Sequence, residues 1–187
     1  MSFENPTTFE KIGFRIEWVL SGPLIAAYLR NFGLEGNETL LEVGCGGGAV
    51  TRQLSRLLPN GRAIGIDPSA YWVDYARNRL RGRRNVSLHV GDVLTADIEP
   101  GSFDAVLFHY VLHDISAIDR PSTLDRVYEL LKADGKLFLR EPTKENHGMS
   151  VTEIRSLTGA VGFHEERSQE RRAMLFGSSF EGIFRKV

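Results

Sequence analysis

Short runs of apolar residues alternate with longer segments of helical periodicity along most of this chain. The short apolar runs predict strands at residues 39–43, 62–66, 86–90, 103–108 and 135–140. Apolar positions at helical spacing predict helices at residues 49–58, 69–81, 121–132 and 150–160. Because strands and helices alternate strictly, we expect an α/β fold whose mostly parallel sheet carries helices on both faces.

The two ends of the chain depart from this alternation. Residues 12–32 predict two amphipathic helical pieces, which part near Ser21-Gly22-Pro23 because proline disrupts a helix. Segments 162–167 and 180–185 predict two strands without a helix between them, which is typical of an antiparallel pair at a sheet edge. We therefore predict one domain over residues 1–187. It comprises an N-terminal helical cap (1–35), a central core (36–142) and a C-terminal helix with antiparallel strands (143–187).

The composition narrows the class of protein without naming a function. Hydrophobic residues make up 42% of the chain and charged residues 25%, which is ordinary for a globular domain. The formal net charge of −1 argues against a general nucleic-acid binder. A single cysteine, Cys45, excludes an intramolecular disulfide and a cysteine-built metal site, so we expect no metal centre. No apolar run reaches the ~18 residues of a membrane helix and no leader opens the sequence, so we expect a cytoplasmic protein.

A glycine-rich turn follows the first predicted strand. The segment Leu40–Val43 is mostly apolar, four of the next five residues are glycine, and a helical pattern then begins. Glycines let a ligand approach the backbone, and a helix N-terminus offers unpaired N–H groups, so this arrangement is typical of a nucleotide site. The segment Gly44–Ala49 also fits the dinucleotide fingerprint with alanine in the last position, which keeps an NAD-dependent oxidoreductase open as an alternative.

Acidic residues end or follow the first three predicted strands, where ligands bind in open α/β sheets. Asp67 lies at a spacing from the glycines that suits a carboxylate accepting hydrogen bonds from ribose hydroxyls. Asp92 has the reach to accept from an adenine amine, and the N–H group of Val93 is placed to donate to the ring. A strand-end aspartate is also a common helix N-cap, which is the alternative for Asp67 and Asp92. Glu42 would repel a pyrophosphate and instead suits a cationic ligand.

In this order and spacing, the motifs resemble the class I S-adenosylmethionine-dependent methyltransferases. The resemblance spans roughly residues 36–142 and is carried by Leu41–Gly48, Ile64–Asp67, Gly91–Val93, Phe103–Leu107 and Leu130–Leu137. It implies a Rossmann-like, doubly wound sheet of seven strands that ends in an antiparallel hairpin. It also implies S-adenosylmethionine as the cofactor, and residues 36–142 as the cofactor-binding core.

The resemblance further implies the residues that contact the cofactor. Glu42 is expected near the methionine amino group, and Asp67 near the ribose. The full implied set is Glu42, Gly44, Cys45, Gly46, Asp67, Pro68, Asp92, Val93 and His109, with His109 near the methionine end.

The segment after the fourth strand, His109–Ile115, resembles that of small-molecule O-methyltransferases in which a histidine followed by aspartate acts as the base. The resemblance makes His113 the proton acceptor, although this chain lacks that group's large dimerisation domain and its aromatic continuation. The alternative is that His113 and Asp114 merely terminate a helix. Glu141 and His147 are expected to line the acceptor site, and for Glu141 the alternative is a capping or salt-bridged acid.

We therefore expect a methyltransferase that uses S-adenosylmethionine to methylate a small-molecule acceptor, with O-methylation assisted by a histidine base. We expect a monomer or homodimer without nucleic-acid or membrane partners. The N-terminal aromatic residues Phe3, Phe9, Phe14 and Trp18 form either a lid over the acceptor pocket or ordinary helix packing. A non-catalytic cofactor-binding or interaction protein is the alternative from a different class.

Overall fold

The structure is a computed structural model that describes residues 22–144, 147–173 and 177–187. The chain divides into two compact units, Met1–Asp92 and Val93–Val187. The division falls inside the predicted core of residues 36–142, so the predicted domain boundaries stay a prediction. The first predicted helical piece and the four N-terminal aromatic residues lie outside the described residues.

The first unit contains three parallel strands in the order β3-β2-β1. Its elements are α1 (Gly22–Leu29), a 3₁₀ turn (Arg30–Phe32), β1 (Thr39–Val43), α2 (Ala49–Leu57), β2 (Arg62–Asp67), α3 (Ala70–Arg79) and β3 (Val86–Val90). All three predicted strands are confirmed, and the two predicted helices after residue 48 are confirmed to within two residues at each end.

The core of the first unit is built from the apolar positions that produced these predictions. Leu40 and Leu41 of β1 are fully buried, and so is Leu54 on the inner face of α2. Burying each such side chain stabilises the fold by roughly 1.5–3 kcal/mol. Gly48, the N-cap of α2, has φ +78°, and a Cβ there would lie 3.0 Å from the Cβ of Ala76. The glycine turn therefore permits close packing of α3 as well as a left-handed backbone.

The second unit combines parallel and antiparallel pairing. Its elements are β4 (Phe103–His109), a 3₁₀ turn (Leu112–Asp114), α4 (Arg120–Leu130), β5 (Leu131–Lys144), β6 (His147–Gly148), α5 (Val151–Val161), β7 (Phe163–Ala173) and β8 (Gly177–Lys186). Strand β4 runs parallel to β5, whereas β8 is antiparallel to both β5 and β7. The predicted C-terminal antiparallel strands are confirmed.

Strands β4 and β5 are buried on both faces. Val106–Phe108 and Leu137–Leu139 are completely inaccessible, which explains why these strands appear in the sequence as continuous apolar runs. Together, the described parts of the two units contain seven strands of five or more residues and, in addition, the two-residue β6. Within the part of the chain that is described, no helix has the length and apolar character needed to cross a membrane.

Candidate functional site

The backbone N–H groups of the glycine turn are almost all used inside the protein. Gly44 and Cys45 both donate to the carbonyl of Ile66, at 2.8 and 3.2 Å, and Gly48 donates to the carbonyl of Cys45 at 2.9 Å. Gly46 donates to Oδ2 of Asp67 at 2.9 Å. Four of the five N–H groups at residues 44–48 therefore already have acceptors, and the turn offers few donors to a phosphate.

Asp67 holds the glycine turn to the start of α3. Besides the bond from Gly46, its Oδ1 accepts from the N–H group of Ser69 at 2.9 Å. The N-cap of α3 is Ser69, whose hydroxyl accepts from Trp72, so Asp67 does not cap this helix. Burial raises the pKa of the Asp67 carboxyl, although both N–H bonds oppose the shift. A carboxylate oxygen accepts more than one hydrogen bond, so Asp67 keeps acceptor capacity for a ligand hydroxyl.

Glu42 is a buried acid in the penultimate position of β1. Its side chain is only 2% exposed, and Thr51 Oγ1 on α2 donates to Oε2 at 2.5 Å. The pKa of Glu42 is raised to about 8: burial is the main cause, the negative charge of Asp67 adds to it, and the Thr51 bond opposes both. Such a carboxyl is costly to ionise by itself and becomes much easier to ionise beside a cation.

Cys45 packs into the turn as a small buried residue. A Cβ on the neighbouring Gly65 would lie 2.8 Å from Cys45 Cβ and 2.9 Å from its Sγ, so the two residues are in close contact. Burial, together with the acids Glu42 and Asp67, raises the pKa of the Cys45 thiol far above its usual range. A thiol in this state is a poor nucleophile, and its role is packing.

The remaining predicted residues near the turn differ in exposure. Pro68 and Asp92 are exposed, whereas Val93 at the start of the second unit is 2% exposed. The N–H group of Gly91 donates to the carbonyl of Asp67 at 3.0 Å. Asp92 is the next residue after Gly91, so it follows directly on a residue that is bonded to the end of β2.

In the second unit, His113 and Glu141 form a hydrogen-bonded pair. Nδ1 of His113 lies 2.7 Å from Oε2 of Glu141, and the two side chains are 6% and 0% exposed. Nε2 of His113 lies 3.5 Å from Oδ1 of Asp114, which is half-exposed. The bond to Glu141 raises the pKa of His113, the charges of Glu141 and Asp114 add to it, and burial and Arg120 oppose it. An ionised Glu141 accepts from Nδ1–H, which leaves Nε2 as the basic nitrogen of neutral His113.

Glu141 is bonded inside the second unit. It is completely buried and also accepts from the N–H groups of Val111 and Leu112 at 3.1 and 2.8 Å, and its place at the acceptor site stays a prediction. These bonds occupy both carboxylate oxygens inside the unit. The side chain of His147 lies outside the described part of the chain.

His109 is the last residue of β4, and its side chain lies beside Arg140. Arg140 Nη1 lies 3.4 Å from His109 Nε2, and the guanidinium also sits over the Tyr110 ring and 3.2 Å from Glu181. Burial and the Arg140 charge lower the pKa of His109 to about 3, so this histidine is neutral. No group of three or more His, Cys, Asp or Glu side chains in the described ranges is arranged to hold a metal ion.

Comparison with known proteins agrees with the geometry of the first unit. A family model described as a methyltransferase domain matches residues 40–135, just over half of the chain. The chain belongs to the class I S-adenosylmethionine-dependent methyltransferases. S-adenosylmethionine is the cofactor of this family, and its cationic amino acid moiety suits the buried Glu42 and the half-buried Asp67 beside the glycine turn.

Individual relatives share the fold at low identity. The demethylmenaquinone methyltransferase of Symbiobacterium thermophilum is 27% identical over 57% of this chain and 43% of that protein. A structure of a methyltransferase from Aquifex aeolicus superposes with a TM-score of 0.77, at 20% identity, over 87% of this chain and 89% of the other. The N-methyltransferase NodS from Bradyrhizobium japonicum, in complex with S-adenosylhomocysteine, gives 0.74 at 18% identity, over 88% and 86%. The predicted Rossmann-like fold is confirmed.

The chain spans 30% to 49% of the length of the first curated relatives that it matches. The sequence did not single out two polar side chains that bond to predicted site residues, one in each unit. Thr51 lies outside every motif that carries the family resemblance, although its place in the first turn after the glycines signals a hydroxyl near Glu42. Arg120 belongs to no recognisable motif, so the sequence gives no signal for it.

Proposed function

We propose that this chain transfers the methyl group of S-adenosylmethionine to a small-molecule acceptor. Bound S-adenosylmethionine supplies the methyl group on a sulfonium, so the protein mainly has to orient the reactants. The observation that carries the proposal is the buried Glu42 carboxyl beside Asp67 at the glycine turn. Two acids at this position favour a ligand with a positive charge.

Within this proposal, Glu42 binds the cofactor's ammonium group and the backbone at Gly44–Gly46 lies along its methionine moiety. Asp67 and Pro68 take the ribose, and Asp92 takes the adenine amine. The roles of Val93 and His109 rest on the family resemblance and stay predictions.

A dinucleotide is a weaker candidate for two reasons. The turn has four of its N–H groups bonded inside the protein, so it offers little to a pyrophosphate. Glu42 and Asp67 also place negative charge where a phosphate would have to bind. The alternative of an NAD-dependent oxidoreductase is therefore disfavoured.

For the chemistry, we propose that His113 accepts the acceptor's proton through Nε2 in an O-methylation. The support is the bond from Nδ1 to Glu141, which selects the tautomer with a basic Nε2. The acceptor class is supported by analogy, because the curated relative from Symbiobacterium is named for demethylmenaquinone, a small organic molecule.

Calorimetric titration tests the cofactor proposal. S-adenosylhomocysteine should bind with a measurable heat, and NADH under the same conditions should not. Absence of S-adenosylhomocysteine binding by the native chain would overturn the proposal.

A turnover assay tests the chemistry. Formation of S-adenosylhomocysteine is followed over a panel of phenols, carboxylic acids, amines and thiols. A hydroxyl acceptor should be methylated, and His113→Gln should lower kcat by about 10²–10⁴-fold. Cofactor binding without turnover on any acceptor would favour the non-catalytic alternative.

A further inference from the structure

The backbone just before the 3₁₀ turn Leu112–Asp114 adopts a conformation that its residues do not favour. Tyr110, the residue before Val111, has φ +60°, an uncommon value for a residue with a side chain, and Val111 has φ −134° and ψ −41°. A three-residue turn gains few hydrogen bonds of its own, among them Asp114 N–H to the Val111 carbonyl at 2.9 Å. Its conformation therefore has to be imposed by neighbouring side chains.

A buried negative charge holds the N–H side of the turn. Oε1 of Glu141 accepts from Val111 and Leu112, and Oε2 faces the N–H group of His113 at 3.4 Å. Hydrogen bonds to an ionised group are about twice as strong as those between neutral groups.

A positive charge holds the carbonyl side. Arg120, in the first turn of α4 and 13% exposed, donates from Nη2 to the carbonyl of His113 at 2.9 Å. Its Nε donates to the carbonyl of Ile115 at 3.0 Å. One planar guanidinium thus binds two carbonyls that flank Asp114, which a single lysine ammonium does not reproduce.

The guanidinium is itself anchored from a third element. Its Nη1 lies 2.5 Å from Oε1 of Glu153 on α5. The backbone N–H group of Glu153 donates to the N-cap residue Ser150, so the anchoring acid belongs to the first, capped turn of α5. Three donor groups of Arg120 are therefore committed to fixed partners.

We infer that Arg120, anchored by Glu153, is a positioning residue that fixes the His113 backbone and with it the direction of the imidazole. His113 is the residue at which the two charges meet, because its N–H group faces Glu141 and its carbonyl accepts from Arg120. This inference rests on the proposed role of His113 as the base, and Arg120 itself touches neither cofactor nor acceptor in it.

Helix α4 supplies a matched control. Arg126 on the same helix is 19% exposed, donates from Nη2 to the carbonyls of Ile98 and Ala96 at 2.7 and 3.4 Å, and pairs with Glu129. Arg120→Lys and Arg126→Lys therefore each remove, from the same helix, a guanidinium that binds two backbone carbonyls and one acid, but only the first acts on the turn of His113.

The experiment compares the ¹⁵N-labelled native chain with both lysine variants, free of ligand. Arg120→Lys should speed amide exchange at Leu112 and His113 by about tenfold or more, because two bonds that close the turn are lost. It should also shift the His113 ring ¹⁵N signals from a single Nδ1–H tautomer towards a mixture. Arg126→Lys should leave both observables unchanged. A Glu153→Gln variant, which keeps Arg120, should give a smaller change in the same direction and serves if Arg120→Lys does not fold.

Unchanged exchange and ring signals in both Arg120→Lys and Glu153→Gln would overturn the inference. Equal changes in Arg126→Lys would do so as well, since they would show a general loss of stability. Titration of the same samples with S-adenosylhomocysteine separates this result from the proposed function. If the native chain binds none, the proposed function fails, while the exchange data still decide the role of Arg120.

Discussion

Cofactor binding should depend on pH through the ionisation of Glu42. Burial raises the pKa of this carboxyl to about 8 in the free protein, so near neutrality it is mostly protonated. In the proposed binding mode the cofactor's ammonium lies beside Glu42 and favours its ionised form, so binding should drive the proton off. The affinity for S-adenosylhomocysteine should therefore rise with pH until Glu42 is ionised in the free protein as well.

The magnitude follows from the shifted pKa. With a pKa of about 8, the ionised fraction of Glu42 rises from roughly 0.3% at about pH 5.5 to roughly 24% at about pH 7.5. The dissociation constant should fall by about 75-fold over this range, which corresponds to about 2.6 kcal/mol. Near pH 6.5, about one proton should be released for each ligand bound.

Isothermal titration calorimetry measures both quantities. Titrations at several pH values give the affinity, and titrations in buffers of different ionisation enthalpy give the number of protons released. Glu42→Gln should bind more weakly with a flat pH profile, and Thr51→Val should move the midpoint to higher pH because the Thr51 bond lowers the pKa of Glu42. A flat profile in the native chain would refute the reasoning, as would the same slope in Glu42→Gln.

Three further predictions concern single side chains. Asp67→Ala should weaken S-adenosylhomocysteine binding by about 10- to 150-fold in calorimetry, because it removes a charged acceptor and releases the glycine turn. Gly65→Ala should lower the free energy of unfolding in urea by about 1–3 kcal/mol, because its Cβ would meet Cys45 at 2.8 Å. Glu141→Gln should lower the pKa of His113 in an NMR titration, because the bond to Glu141 is the largest cause of its raised value.

Each of these predictions has a control. Asp67→Asn keeps one acceptor oxygen and should lose less affinity than Asp67→Ala; equal losses would contradict the role of the hydrogen bonds. Gly159→Ala, at a helix position with no atom within 4 Å of the added Cβ, should leave stability unchanged or slightly raised. The buried Glu181 bonds to Arg140, Arg171 and Gln169 and is not among the causes of the raised His113 pKa, so Glu181→Gln should leave that pKa in place.

The sign of the His113 effect on folding follows from the same shift. A histidine whose pKa is raised on folding contributes stability below its unfolded pKa, and loses it as the pH rises through the folded value. In Glu141→Gln this low-pH contribution should shrink, so stability measured on the acid side of neutrality should fall more than stability measured at higher pH.

The elements of this fold were predictable because burial imposes a period on the sequence. Strands β1 and β3 match the predicted residues 39–43 and 86–90 because apolar runs of strand length mark them. Strand β5 begins at Leu131 instead of residue 135, and its register against β4 shifts between Phe103 and Ala105. An irregularity of pairing leaves no apolar period, so the sequence did not indicate it.

In the candidate site, too, some features could be predicted from the sequence and others could not. Strand-end position was enough to single out Glu42 and Asp67, since parallel strands bring their carboxyl ends to one edge. The glycine-rich turn before a helix suggested N–H groups that are free to bind a ligand. The structure shows instead that these groups bond to Ile66, Asp67 and Cys45. Most N–H donors of the turn are therefore consumed inside the protein.

The sequence by itself determined the α/β alternation, the glycine turn and the acids around it, because these depend on local periodicity and on the special conformations of glycine. Only the tertiary structure decided that Glu141 pairs with His113 and that Arg120 holds the His113 carbonyl. Glu141 lies 28 residues from His113 along the chain, and whether the two meet depends on strand pairing, register and side-chain reach. Apolar periodicity reports which face of an element is buried, but it carries no information about which polar atoms meet there.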